Sequence, residues 1–313
     1  MNEPDASEAT DAPRGEEGGA PWIDLETQGR MQWRDGDVVV SVPAKSGTTW
    51  TMNIVHQLRT GGDADFEDVY VEVPWLEFVE RPGQTPNERL HQWEAMPTTR
   101  RRAFKSHAAP PMLPYVEPGQ TDVRYVVVLR NPEEALVSLK PFIEQHSPAF
   151  FELWGAPKEV FLRDDFATFF DEVLGGARIV DALFGFLAAW WPLRNRPNVL
   201  MIHFTELKRD HEGSIRRIAD FLGEHPSETQ WPAILEHCSF SWMKANQRKF
   251  ELPVVTDVPV LDPGAMIRKG QVGTARDDGM TEAIAARVRT RGAEILDDPV
   301  AMEWYYRGGP TPA

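Results

Sequence analysis

An α/β fold, built on a parallel sheet covered on both faces, is what this sequence predicts. Three observations predict it: short apolar runs rich in valine and isoleucine, amphipathic helical segments that follow them, and Pro- or Gly-containing loops in between. A strand that is apolar at every position is buried on both sides, as happens in a parallel sheet between two layers of helix. Ligands in such folds bind beyond the carboxyl ends of the strands. The residues just after each apolar run are therefore the first candidates for chemistry.

Residues 1–20 carry six acids against one arginine and no large apolar side chain after Met1. Such a segment cannot bury enough surface to offset its ordering entropy, and a disordered acidic tail is expected there. From 21 to 313 the composition is globular and without repeat, which points to a single domain. Val38-Val39-Val40, leading into Val42, is the first strand; a loop and a helix with Trp50, Ile54, Val55 and Leu58 on one face follow. Ala103-Phe104-Lys105-Ser106 is a second, shorter strand. Tyr125-Val126-Val127-Val128-Leu129 is a third, and Asn131 as N-cap, Pro132 at the first helical position and Glu133-Glu134 in the first turn mark the helix after it. Val199-Leu200-Met201-Ile202 is a fourth, preceding a helix with Ile215, Ile218, Ala219, Phe221 and Leu222 that Gly223 ends.

Composition narrows the function. The 313 residues are 26% charged and 42% hydrophobic, ordinary globular usage that excludes collagen-like, coiled-coil and wholly disordered chains. A net charge of −15 repels a polyanion, so no nucleic-acid partner is expected. The one cysteine, Cys238, has no intramolecular partner and is expected as a small buried group. No stretch reaches the ~20 apolar residues of a membrane span, and the start has neither a basic nor an apolar signal region. A cytoplasmic protein without membrane insertion is the expectation.

Four segments carry candidate chemistry. Pro43-Ala44-Lys45-Ser46-Gly47-Thr48-Thr49-Trp50 joins a lysine, a glycine and three hydroxyls at a helix start, where free N–H groups and the helix dipole favour an anion. It is not the Walker pattern, since its only glycine follows the lysine. No strand ends in an aspartate suited to Mg²⁺, and no helix carries paired metal-binding histidines, so no metal is expected. Arg130, just past the third strand, offers a guanidinium fork, with Ser138 two turns on; Arg130 serves equally as a salt-bridge partner. Arg268-Lys269-Gly270 adds a basic loop, for which solvated charge is the default reading. His107, beside Lys105, has the chemistry of a general base, or of an ordinary structural histidine.

Together these segments resemble the cytosolic sulfotransferases, and the likeness reads as that of a bacterial member. Pro43 to Trp50 is similar to that family's 5′-phosphosulfate loop, and Val127 to Pro132 with Ser138 to its 3′-phosphate motif. Arg268-Lys269-Gly270-x-x-Gly273 is similar to its C-terminal motif, Lys105-Ser106-His107 to its Lys-x-His segment, and Val73-Pro74-Trp75-Leu76-Glu77 to its acceptor-side loop. The five occur in collinear order from about residue 22 to 273.

The resemblance implies transfer of a sulfuryl group from 3′-phosphoadenosine 5′-phosphosulfate (PAPS) to a hydroxyl or amine of a small, aromatic or lipid-like acceptor. It implies in-line displacement without a metal, on a Rossmann-like parallel sheet of about five strands with a P-loop-type phosphosulfate loop. His107 would take the acceptor's proton, Lys45 neutralise the bridging oxygen and Lys105 position the acceptor or the transferring group. Nucleotide contacts would come from Lys45, Ser46, Gly47, Thr48, Thr49, Trp50, Arg130, Ser138, Ser239, Phe240, Arg268, Lys269 and Gly270, with Cys238 in the position of the family's threonine before Ser239-Phe240. Segments around Trp75, Phe78, Phe142, Phe150, Phe151 and Trp154 could line an acceptor pocket or belong to the core, and the core is expected for most of them; Trp75, Phe78 and Phe142 are the acceptor-pocket candidates. The sequence departs from the family at Phe204-Thr205-Glu206, where Tyr-Glu-Asp is usual, at Thr274-Ala275-Arg276, where Asp-Trp-Lys is usual, and in lacking the animal enzymes' short C-terminal dimer motif. A P-loop kinase and a catalytically silent nucleotide-binding protein are the alternatives.

Overall fold

The computed structural model describes residues 20–252 and 257–312. The acidic segment 1–20, apart from Ala20, lies outside them.

Four strands form one parallel sheet: β1 (Val38–Ser41), β2 (Ala103–Ser106), β3 (Arg124–Leu129) and β4 (Val199–His203), in the order β2-β1-β3-β4. The β1 register sets Val40 beside Lys105 on one side and Val126 on the other. The four apolar runs of the sequence are these four strands. In place of a fifth, the segment around Trp75 makes a single parallel bridge to Lys105: Lys105 N–H donates to Pro74 O and Leu76 N–H to Lys105 O. Pro74 has no N–H to give a ladder, so this edge stays one rung long.

Alternate residues of each strand enter different cores. Val38, Val40, Val126, Val128, Leu200 and Ile202 pack in one cluster with helices α1 (Thr48–Thr60) and α5 (His211–Leu222). Val39, Tyr125, Val127, Leu129, Val199 and Met201 pack in the other with α3 (Pro132–Glu144), α4 (Ala177–Trp190), α6 (Glu282–Leu296) and α7 (Pro299–Arg307). The remaining helix of comparable length, α2 (Pro86–Glu94), starts in a Thr85/Glu88 capping box. Burial on both faces is why these strands show no polar alternation.

The helix starts after β1 and β3 point the site. Gly47 caps α1 in the left-handed region (φ 98°), and Asn131 caps α3 by accepting from the N–H groups of Glu133 and Glu134. Both helices therefore begin at the carboxyl edge of the sheet. Among the described residues no single helix is long and apolar enough to cross a membrane.

Candidate active site

A cavity of about 430 Å³ opens at that edge. It gathers residues from every segment singled out in the sequence: Lys45 and Gly47 to Trp50, Lys105 and His107, Arg130 and Ser138, Ser239 and Phe240, Arg268 to Gly270, and Trp75 and Phe142. Two candidates lie elsewhere. Ser46 is fully buried beneath the loop and does not line the cavity. Phe78 sits outside it, buried and stacked face to face with Trp75 at 5.1 Å, because the loop that presents Trp75 turns Phe78 toward the core.

The turn from β1 into α1 is shaped for close approach of a ligand to backbone. Lys45 (φ 62°) and Gly47 (φ 98°) both take left-handed conformations. A Cβ at Gly47 would lie 2.7 Å from the Phe204 ring, so glycine is required there on two counts. The hydroxyls Ser46 Oγ and Thr48 Oγ1 are buried and have no hydrogen-bond partner. Buried donors left open in this way, beside the unpaired N–H groups of a helix start, fit a phosphate or sulfate group.

The Lys45 amine lies 4.0 Å from the centre of the Phe142 ring. Burial, followed by the nearby Arg268 and Arg130 charges, pulls its pKa down to about 7. Lys105 Nζ lies 3.3 Å from the centre of the Trp75 ring and 5.2 Å from that of Tyr70. Burial holds this amine well below its usual value and Lys45 adds to the effect, while Glu77 opposes it. Glu77 is itself buried and pushed upward by desolvation; it accepts from Ser106 Oγ, Ala108 N and His107 N.

His107 Nδ1 lies 2.6 Å from the backbone oxygen of Val42. A carbonyl only accepts, so Nδ1 carries the hydrogen and Nε2 keeps its lone pair. Burial and the Lys105 charge keep the imidazole neutral to well below its ordinary pKa, with Lys45 adding a smaller push. The result is a neutral base oriented by the backbone.

Arg130 is engaged by the protein through three nitrogens: Nε to Glu134 at 3.0 Å, Nη1 to Lys45 O at 3.1 Å and Nη2 to Gln271 O at 3.0 Å. The salt-bridge role and the cavity-lining role thus coexist, for a guanidinium has five N–H donors. Glu134 also accepts from Gly273 N, which ties α3 to the 268–273 loop. Lys269 pairs with Asp278 at 2.6 Å, and a Cβ at Gly270 (φ 58°) would lie 2.5 Å from the Phe240 ring. Ser239 Oγ accepts from Trp242 N as the N-cap of the helix Phe240–Ala245.

Trp50 stacks on His211 with ring centres 5.9 Å apart and meets Phe204 edge-on at 5.7 Å. Its indole N–H and His211 Nε2 both point at Cys238 O, at 2.7 and 3.2 Å. Cys238 is fully buried, as its sequence suggested. Sequence reasoning missed His211, Tyr70 and Gln145 as cavity-lining residues. His211 opens a helix, Tyr70 lies in the short helix Val69–Glu72 and Gln145 ends α3, so nothing in their local pattern marks them as part of a site.

Comparisons with known proteins bear on what such a cavity does. A family model described as a sulfotransferase domain matches residues 35–298. Sulfotransferase 1A1 of Mus musculus is 28% identical over 259 residues, covering 79% of this chain and 81% of its own. Luciferin sulfotransferase of Photinus pyralis is 25% identical over 312 residues, covering 90% and 80%. Among solved structures, retinol dehydratase in complex with androsterone and the inactive cofactor PAP superposes with a TM-score of 0.65 at 25% identity, covering 86% of this chain and 83% of that one.

Proposed function

Since this chain belongs to the sulfotransferase family, we propose a division of labour among its cavity residues. The enzyme moves a sulfuryl group from PAPS to small acceptors. The reading takes residues 21–313 as one catalytic unit and keeps it in the cytoplasm, where a lone thiol such as Cys238 persists reduced.

The nucleotide end is formed by the 45–50 loop, Arg130, Ser138 and the 268–270 loop, with Trp50, Phe204 and Phe240 offering aromatic faces to adenine. What supports this is the convergence of these segments on one cavity together with the open hydroxyls of Ser46 and Thr48. Although Ser46 does not line the cavity, its hydroxyl is buried within the same loop. Phe204 supplies ring area where the family has tyrosine, without the hydroxyl.

At the other end stand Lys45, Lys105 and His107. His107 Nε2 takes the proton of the acceptor hydroxyl as its oxygen bonds to sulfur. Lys45 places a cation at the bridging oxygen whose bond to sulfur breaks, so that the nucleotide leaves as the 3′,5′-bisphosphate. Lys105, held against Trp75, sits where it orients the acceptor or the equatorial oxygens. The observation that carries this assignment is the hydrogen bond from His107 to Val42 O, which leaves Nε2 as the free nitrogen, while burial and the Lys105 charge keep the ring neutral.

The acceptor follows from the lining. Tyr70, Trp75, Phe142, Met266 and Ile267 suit an apolar or aromatic molecule carrying a hydroxyl or amine. Relatives titled for luciferin, retinol and androsterone share that apolar character.

Thermal shift tests the nucleotide half, since a ligand that binds only the native state raises the melting temperature. Adenosine 3′,5′-bisphosphate should shift melting clearly and ADP with Mg²⁺ should not. A shift from ADP alone would overturn the reading and return the kinase alternative.

A further inference from the structure

The acceptor side of the cavity contains a polar group that the reaction does not use. The face of α3 that lines the cavity runs through Glu134, Ser138, Phe142 and then Gln145, the residue that ends the helix. Spacings of four, four and three place these side chains in one stripe. At ~1.5 Å per residue, Gln145 lies ~10 Å along the axis from Ser138 and ~4–5 Å beyond Phe142. Phe142 is the ring against which the Lys45 amine rests. The stripe thus runs from the nucleotide end, past the transfer point, to Gln145 on the far side.

Gln145 is placed firmly but satisfied poorly. Its backbone oxygen accepts from Asp262 N at 2.8 Å, which holds the residue against the loop that supplies Met266 and Ile267. Its side-chain Oε1 is buried with no hydrogen-bond partner. A sealed amide oxygen costs free energy unless something bonds to it, and Tyr70, Phe142, Leu252, Met266 and Ile267, which line the same cavity, are mainly apolar. The Trp75 indole N–H is also unpartnered, but it can only donate, and its ring is held by contacts with Lys105 and Phe78. A carboxamide can present either its oxygen or its NH₂ by turning over, so it can pair with a donor or an acceptor.

Building on the acceptor reading above, we propose that Gln145 is a specificity residue that hydrogen-bonds a second polar group of the acceptor. The favoured acceptor is an apolar ring compound with one hydroxyl at His107 and a second hydroxyl or carbonyl on its far side. A molecule with the reacting hydroxyl alone leaves Gln145 Oε1 unpaired and binds less well.

The test is calorimetric binding of 2-naphthol and of 2,6- and 2,7-dihydroxynaphthalene to the enzyme saturated with adenosine 3′,5′-bisphosphate, beside kcat/KM for each with PAPS. At least one diol should bind about tenfold more tightly than 2-naphthol. Gln145→Met should reduce that ratio to about twofold, the statistical advantage of two hydroxyls, and leave bisphosphate affinity unchanged. A ratio of about twofold in the unmodified enzyme, or a diol preference that survives in Gln145→Met, overturns the proposal. If Gln145→Met melts early, Gln145→Leu gives the same comparison. Binding requires no transfer, so absence of turnover with all three compounds would count against the roles given to His107 and the lysines, while Gln145 is still judged on the binding ratio.

Discussion

The Glu77 carboxylate and the His107 backbone are directly joined: Glu77 Oε2 accepts from His107 N at 3.4 Å, while Oε1 accepts from Ala108 N at 3.3 Å and from Ser106 Oγ. One buried acid thus collects three consecutive donors at the end of β2. This fixes the turn that carries the base, and it links that turn to the Val73–Glu77 segment that presents Trp75.

Glu77→Gln should therefore act through His107. Replacing one acceptor oxygen by NH₂ sets a donor against a buried donor, at a cost of about 1–3 kcal/mol, and kcat should fall roughly 10- to 100-fold. Bisphosphate affinity should stay within about twofold. A fall in bisphosphate affinity matching that in kcat would mean general collapse of the site rather than loss of position.

His107→Ala removes the proton acceptor and should lower kcat by roughly 10²–10⁴-fold, with the bisphosphate thermal shift intact. Steady-state kinetics with any accepted phenol checks it, and unchanged turnover would take His107 out of the mechanism.

Lys45 predicts a proton uptake. In the free protein its amine has a pKa of about 7, and a polyanion beside it favours the charged form. Below that pKa the amine is protonated with or without ligand, and binding moves no proton through it. Above pH 7 the free amine is neutral and the bound one charged, so bisphosphate affinity should fall as pH rises. Calorimetry at pH 8 in buffers of different ionisation enthalpy should show net uptake, which Lys45→Met should remove.

Gly47→Ala should destabilise and weaken nucleotide binding together. The new methyl would lie 2.7 Å from the Phe204 ring on a backbone at φ 98°. Left-handed strain and the clash together should lower stability by about 1–3 kcal/mol, read as a lower melting temperature. A melting temperature equal to that of the unmodified chain would show that the turn has room to spare.

Three buried histidines set an acid limit. Burial lowers His56 to about 3 and His146 and His203 to about 4. The unfolded chain binds these protons near pH 6.5, so it holds more protons than the native state between roughly pH 6.5 and 4. Their contribution to stability is complete above pH 6.5 and declines as pH falls through that window. Melting temperature against pH should bend downward there, and His146→Phe should soften the bend.

The four strands and the caps at Asn131 and Gly223 were legible because each is written in contiguous residues. The Lys45, Arg130 and Lys105–His107 segments were legible because each lies at or just past the end of a strand, and strand ends meet at one edge. Phe78 was not, since a ring three residues from Trp75 can face the cavity or the core, and only the loop's path decides. The resemblance implied about five strands and the described residues form four; beside β2 only a single bridge forms at Trp75, where Pro74 has no N–H for a further rung. Gln145, His211 and Tyr70 enter the site only through the packing of α3, α5 and the segment after α1, which no local pattern displays.

The hydrogen bond between His107 and Val42 O has an evolutionary side. Val42 N–H donates to Ser106 O, continuing the β1–β2 ladder, and the next acceptor on the same strand is the carbonyl that holds the imidazole. In many acid–base sites a side chain sets the tautomer, and a single codon change can retune or silence it. Here that role belongs to a main-chain atom that all twenty residues share, so substitution at position 42 leaves the acceptor in place. The base can be lost by replacing His107 itself, but its tautomer changes only if the register between two strands drifts, and the folded core of the whole protein opposes that.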